Sequence, residues 1–123
     1  MNDVNSVLKT IELGYIEGIH RQANRELTNK YVHDLFSMFV RKGEEVEIWS
    51  IHQWMDQLEE RKKTKPESFD RQVDYAITNV EIHNSFATVV LDLYIDSKMY
   101  AKDCFSLYKF EDGWKIMTKV YEM

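Results

Sequence analysis

Asp103 stands in an alternating run that puts Phe105 and Leu107 on its own strand face. A carboxylate turned toward apolar neighbours loses hydration, so its pKa rises and it can serve as a base or acid near neutral pH. The same position near a strand end also suits a solvated carboxylate, or an ion pair with Lys102 or Lys119. His33, followed directly by Asp34, is the second candidate. An imidazole shuttles protons in the physiological range, or simply ties its loop to the backbone. Tyr15 lies on the apolar face of a helix, where its hydroxyl could donate to a ligand or be satisfied within a core. Thr118 interrupts an apolar strand face and could offer a hydroxyl. His20, His52 and His83 fall at a helix end, in a first helical turn and beside a turn. No pair of them has metal-ligand spacing with a carboxylate nearby, so no metal site is expected. With no glycine-rich phosphate loop and no serine elbow, no cofactor is expected either.

Helices come first and strands after. Val4, Val7, Leu8, Ile11, Tyr15 and Ile19 recur at helical spacing and predict a helix from Asp3 to His20. Gly14 and Gly18 inside it read as packing notches, since each costs about 1 kcal/mol relative to alanine. A short helix over Asn24–Tyr31 follows, capped by Asn24. Leu35–Val40 and Glu45–Trp49 form a hairpin around Lys42-Gly43. Ser50 and Gln53 have capping-box spacing, and Trp49 and Trp54 the spacing of a hydrophobic staple. Ile51, Trp54, Met55 and Leu58 make the buried stripe of this third helix, and Pro66 stops it.

The remainder alternates. Phe69–Ile82 changes phase near Thr78-Asn79, as a β-bulge would. Asn84-Ser85 and Asp96-Ser97 mark turns between strands, and Asp112-Gly113 is a strong hairpin signal. A two-residue turn there would put Phe105, Leu107, Ile116 and Val120 on one face and Tyr108, Met117 and Tyr121 on the other. One face covers the helices. The other is apolar enough to predict a homodimer joined sheet to sheet.

The 123 residues suffice for one domain, 1–123, and 44% hydrophobic residues suffice for a core. A net charge of -5 argues against nucleic acid, because phosphate binding needs a positive field. The basic run Arg61, Lys62, Lys63 and Lys65 reads as a helix C-terminus, with phosphate contact as the alternative. The single cysteine, Cys104, excludes an internal disulfide and reads as a small packed side chain. No apolar run reaches a membrane span, and Met1–Lys9 shows no signal peptide. The expected compartment is the cytoplasm.

Four segments carry a resemblance across nearly the whole chain. They are Tyr15-Ile16-Glu17-Gly18-Ile19-His20, then Val32-His33-Asp34 with Met38-Phe39, then Lys102-Asp103-Cys104-Phe105-Ser106-Leu107, and finally Glu111-Asp112-Gly113-Trp114-Lys115-Ile116 with Lys119-Val120-Tyr121. Their order and spacing resemble the nuclear-transport-factor-2-like superfamily, the cystatin-like cone shared with ketosteroid isomerase and scytalone dehydratase. The putative lumazine-binding subgroup is the nearest. The resemblance implies an α+β cone, three N-terminal helices packed in the concavity of a strongly bent antiparallel sheet.

It also implies a pocket in the mouth of the cone, with no particular reaction. Walls would come from Ile19, Phe36, Met38, Trp54, Met55 and Phe105, with Tyr15 and Thr118 as polar contacts; the same apolar residues suit a core equally. The function expected is capture of a small apolar or aromatic molecule. One alternative is an isomerase-like or dehydratase-like enzyme using Asp103 and His33 with Tyr15. The catalytic sets of ketosteroid isomerase and scytalone dehydratase have no residue-by-residue counterpart here. The other alternative is an interaction module with a filled cone and a protein partner on the sheet.

Overall fold

The computed structural model describes residues 3–123. The first helix begins as an α-helix, α1 (Asp3–Thr10), and continues without a break as a π-helical segment, Ile11–Arg21. The sequence predicts one α-helix here. The change to i→i+5 hydrogen bonding slows the turn, so residues five apart share a face. Gly14 and Gly18 lie in this segment where α2 (Arg25–Tyr31) crosses it. A Cβ on Gly14 would stand 2.6 Å from Tyr31 Cβ, and one on Gly18 would stand 2.6 Å from Thr28 Oγ1. The Asn24 side chain caps α2 by accepting from the Leu27 N–H at 3.0 Å.

Strand β1 (Val32–Lys42) pairs with β2 (Glu45–Ser50) through a turn at Gly43-Glu44, one residue later than predicted. Gly43, at φ 65°, supplies the left-handed conformation that a side chain resists. α3 (Ile51–Thr64) opens with the full capping box, Ser50 and Gln53 each satisfying the other's backbone N–H. A short 3₁₀ turn, Pro66–Phe69, leads into β3 (Val73–His83), β4 (Phe86–Ile95), β5 (Lys98–Phe110) and β6 (Gly113–Glu122).

The six strands form one sheet in the order β2-β1-β6-β5-β4-β3. The sheet is mixed and not wholly antiparallel, because β1 runs parallel to β6. Bulges interrupt it at Thr78 in β3, as the phase change there predicts, and at Tyr100 in β5. The helices cover one face, and Val7, Ile11, Ile16, Leu91 and Ile116 are among the core residues between helix and sheet.

A further bulge changes the reading of β6. The β5–β6 turn is Glu111-Asp112, and past it Ser106 pairs with Thr118 while Leu107 pairs with Ile116, leaving Met117 as the extra residue. The strand's alternation shifts by one at that point. Val120, expected inside with Ile116, is 55% exposed on the outer face. Tyr121, expected outside, turns inward and packs against the core. Cys104, expected to be packed, is exposed on the outer face opposite Val120.

Candidate functional site

Tyr15, Asp103 and Lys119 meet in the interior. The Tyr15 hydroxyl donates to Asp103 Oδ2, Lys119 Nζ lies 3.3 Å from the Tyr15 oxygen, and Nζ is 3.8 Å from Asp103 Oδ1. Asp103 is 0% exposed and Lys119 4%. The ammonium also sits over three rings, 4.2 Å from Tyr121, 4.7 Å from Trp54 and 5.1 Å from Tyr15. Such faces stabilise a cation that has left water. Burial nevertheless pushes Lys119 down to about 8, against the pull of Asp103. Burial raises Asp103, with Lys119 and Tyr15 opposing, and it holds the Tyr15 phenol well above its usual range, reinforced by the charge of Asp103. Asp103 and Lys119 therefore exchange protons closer to neutrality than their free counterparts, while the Tyr15 phenol keeps its proton.

Tyr15 and Lys119 face a half-open cavity of about 410 Å³. Its walls mix Trp49, Trp54, Leu93 and Tyr121 with Arg61 and Arg71, and Glu47 and Lys42 stand at its side. His20 joins them. Its ring meets that of Tyr15 edge-on at 4.7 Å. Burial, followed by the charges of Lys119, Arg71 and Arg61, holds this imidazole well below the usual histidine range, so it is neutral. Among the described residues, the buried side-chain polar atoms without a hydrogen-bond partner are His20 Nε2, Arg61 Nε, Ser68 Oγ and Asp103 Oδ1. The first three belong to residues lining this cavity, and Asp103 lies behind its Tyr15–Lys119 wall. Buried polar atoms are normally paired, and three of these four unpartnered ones belong to residues around a single hollow.

Of the residues singled out from the sequence, Tyr15, Met38 and Trp54 line this cavity. Asp103 reaches it through Tyr15 and Lys119. Ile19, Phe36, Met55 and Phe105 are sealed core residues, at most 2% exposed, and do not line it. Phe105 packs edge-on against Tyr15 at 4.7 Å, and Phe36 stacks on Trp54 at 6.1 Å, so both support lining residues from behind. Thr118 is turned to the outer face by the Met117 bulge, where its hydroxyl meets that of Ser106 at 2.5 Å. His33 does not join Asp103. It sits at the start of β1, where its Nδ1 accepts from the Leu35 N–H at 3.0 Å and its ring stacks on Phe110 at 5.2 Å.

Lys119, His20, Arg61, Arg71 and Tyr121 were missed as site residues, the first, second and last of them for two geometric reasons. The Met117 bulge brings Lys119 and Tyr121 inside. The π-helical segment brings His20 onto the face of Tyr15, five residues earlier, where an α-helix would separate them. Arg61 belongs to the basic run read as a helix C-terminus. It does lie in the last turn of α3, but its side chain lines the cavity, while Lys62 Nζ donates to the Gln22 carbonyl at 2.5 Å.

The opposite face of the sheet carries an unbroken cross-strand row. Ile48, Phe39, Val120, Cys104 and Val90 are successive partners from β2 to β4. Leu35, Phe86 and Tyr108 are also exposed there. No helix among the described residues is long and apolar enough to cross a membrane.

The family model described as "Putative lumazine-binding" matches residues 2–122. No curated protein matches the chain. Among solved structures, the chain is similar to a nuclear-transport-factor-2-like protein of unknown function from Silicibacter pomeroyi, with a TM-score of 0.77 at 16% identity over 97% of this chain and 93% of that one. A second protein of the same description, from Shewanella baltica, gives 0.72 at 19% identity over 99% and 96%. The CaMKII hub of S. rosetta gives 0.75 at 11% identity over 96% and 94%. These likenesses establish the cone fold.

Proposed function

The chain belongs to the putative lumazine-binding family of the nuclear-transport-factor-2-like fold, and from that premise we propose that it binds a small apolar or aromatic molecule in the cavity beside Tyr15. The observation that carries this reading is the convergence of unpartnered buried polar atoms on a hollow walled by Trp49, Trp54 and Tyr121. A cavity mostly apolar with a few aimed polar groups is what a ligand site requires. The aromatic walls receive the flat body. Lys119, beside the Tyr15–Asp103 pair, meets whatever acceptor the ligand presents at the inner end.

The test is native mass spectrometry of protein purified with no added ligand, together with tryptophan fluorescence titration against flat aromatic compounds. A co-purifying small molecule, or quenching of Trp49 and Trp54 emission, is expected. An apo mass and no response to any compound would overturn the reading.

The second reading is a proton-transfer enzyme of isomerase or dehydratase type, and the Tyr15–Asp103–Lys119 cluster is what favours it. Its base would be Asp103 or Lys119, acting through or beside Tyr15, and His33 would take no part. Turnover with a ketone or hydroxy-ketone substrate that disappears in Asp103→Asn would establish it.

The outer apolar row supports a homodimer formed face to face, since such a row is rarely left wet. An exposed thiol at Cys104 suits a reducing compartment, and we place the protein in the cytoplasm.

A further inference from the structure

The chain has five arginines. Three pair with carboxylates: Arg21 with Glu17 at 2.5 Å, Arg25 with Asp56 at 2.5 Å and Glu59 at 2.9 Å, and Arg41 with Glu44 at 3.6 Å. Arg61 and Arg71 have no carboxylate partner among the described residues, and these two line the cavity. In an acidic protein this is the reverse of what chance would give. The charge inside is not balanced locally either. Lys119 shares the cavity wall, Asp103 is committed to Tyr15 and Lys119, and Glu47 pairs with Lys42 at 3.5 Å.

The guanidiniums are held in place without being used up. Both stand over the Phe69 ring, Arg61 at 5.0 Å and Arg71 at 5.3 Å. Arg71 donates to the carbonyls of Ser68 at 2.7 Å and His20 at 3.1 Å. Arg61 Nε is buried with no acceptor, and Ser68 Oγ, from another residue lining the same cavity, is buried without a partner too. Two cations kept close repel each other: burial and then the charge of Arg61 lower Arg71, with Tyr100 and Asp96 pulling the other way. A fold tolerates such an arrangement when an anion completes it.

Resting on the small-molecule reading above, we propose that the ligand is a planar aromatic acid whose carboxylate is bound by Arg61 and Arg71 while its ring body lies against Trp54 and Tyr121. Guanidinium donors match the two oxygens of a carboxylate in plane. A phosphate would call for more donors, and no glycine-built backbone cradle lines this cavity.

The test compares 2-naphthoate with its neutral isostere 2-naphthamide and with 2-naphthyl phosphate, by isothermal titration calorimetry on the full chain. The acid is expected to bind at least tenfold more tightly than the amide, an advantage that shrinks as salt is raised. Arg61→Gln and Arg71→Gln should each cut the acid-to-amide ratio severalfold, and Arg41→Gln, on a surface hairpin, should leave it unchanged. Because Arg71 also holds backbone carbonyls, Arg61→Gln carries the test if Arg71→Gln fails to fold. Equal affinity for acid and amide would overturn the carboxylate proposal and leave the cavity reading standing. Tighter binding of the phosphate would overturn the choice of carboxylate. Binding of none of the three would remove the cavity reading along with it.

Discussion

Tyr15 and Asp103, 88 positions apart in sequence, are joined by a hydrogen bond in which the phenol donates to a carboxylate fully removed from solvent. The bond ties the first helix to the centre of β5. Tyr15→Phe strips the carboxylate of this donor and leaves Lys119 as its nearby partner. A loss of about 1–3 kcal/mol is expected in urea unfolding, the cost of an unsatisfied buried acceptor. Pairing the change with Asp103→Asn in a double-mutant cycle isolates the coupling. Additive losses would show that the two residues do not stabilise one another.

Lys119 gives a pH signature on the alkaline side. Its folded pKa is about 8 against an ordinary 10.5. Between those values the unfolded chain holds the proton more tightly, so stability rises with pH across the window, by at most about 3 kcal/mol. Below about 8 the amine is charged in both states and the cost of burying that charge is present in full. Chemical denaturation from about pH 8 to about pH 9.5 stays below ordinary tyrosine ionisation. The slope seen in the wild type should flatten in Lys119→Met, and an unchanged slope would remove Lys119 as its source.

His20 acts in the opposite range. Its folded pKa lies well below 6.5, so acidification protonates the unfolded chain first and stability falls as pH drops below about 6.5. Substitution of His20 by Gln should remove that part of the acid sensitivity. Persistence of the full acid sensitivity in the variant would show that carboxylates alone cause it.

Gly14→Ala tests the helix crossing. Helix propensity favours alanine by about 1 kcal/mol. The new Cβ would lie 2.6 Å from Tyr31 Cβ, so α2 must shift. A net loss of about 1–3 kcal/mol is expected from overpacking, read as a lower Tm. A gain in Tm would mean that α2 gives way freely.

The outer face predicts assembly. Sedimentation velocity at two concentrations should show a dimer for the wild type and a monomer for Val120→Glu, whose charge would fall in the middle of the apolar row. Cys104, opposite Val120, should react slowly with a maleimide in the dimer and quickly in the variant. A monomeric wild type at both concentrations would dismiss the interface.

Features set by local chemistry were legible in the sequence. Asn24 and Ser50 announce helix starts because their side chains accept orphan N–H groups within three residues. The Thr78 bulge shows as a break in alternation, and Asp96 and Ser97 turn as expected, at φ 51° and 67°. Asp103 is turned inward, toward Tyr15, because β5 keeps its period from Ala101 to Leu107. What escaped depended on backbone geometry with no marker of its own. Nothing in Ile11–Arg21 distinguishes a π-helix from an α-helix, so from the sequence His20 reads only as a residue at a helix end. Nothing in Ile116-Met117-Thr118 breaks the alternation, so Val120 and Thr118 seemed to face inward. The parallel pairing of β1 with β6 joins segments far apart in the chain, beyond the reach of any turn signal.

The extra residue at Met117 decides which chemistry the interior receives. Were β6 to pair along β5 without that bulge, position 119 would turn to the outer face and position 120 inward, so the extra residue is what keeps the amine of Lys119 beside Asp103. In a related chain the same lysine therefore faces the interior where the last strand carries this extra residue, or where it is one residue shorter and pairs regularly.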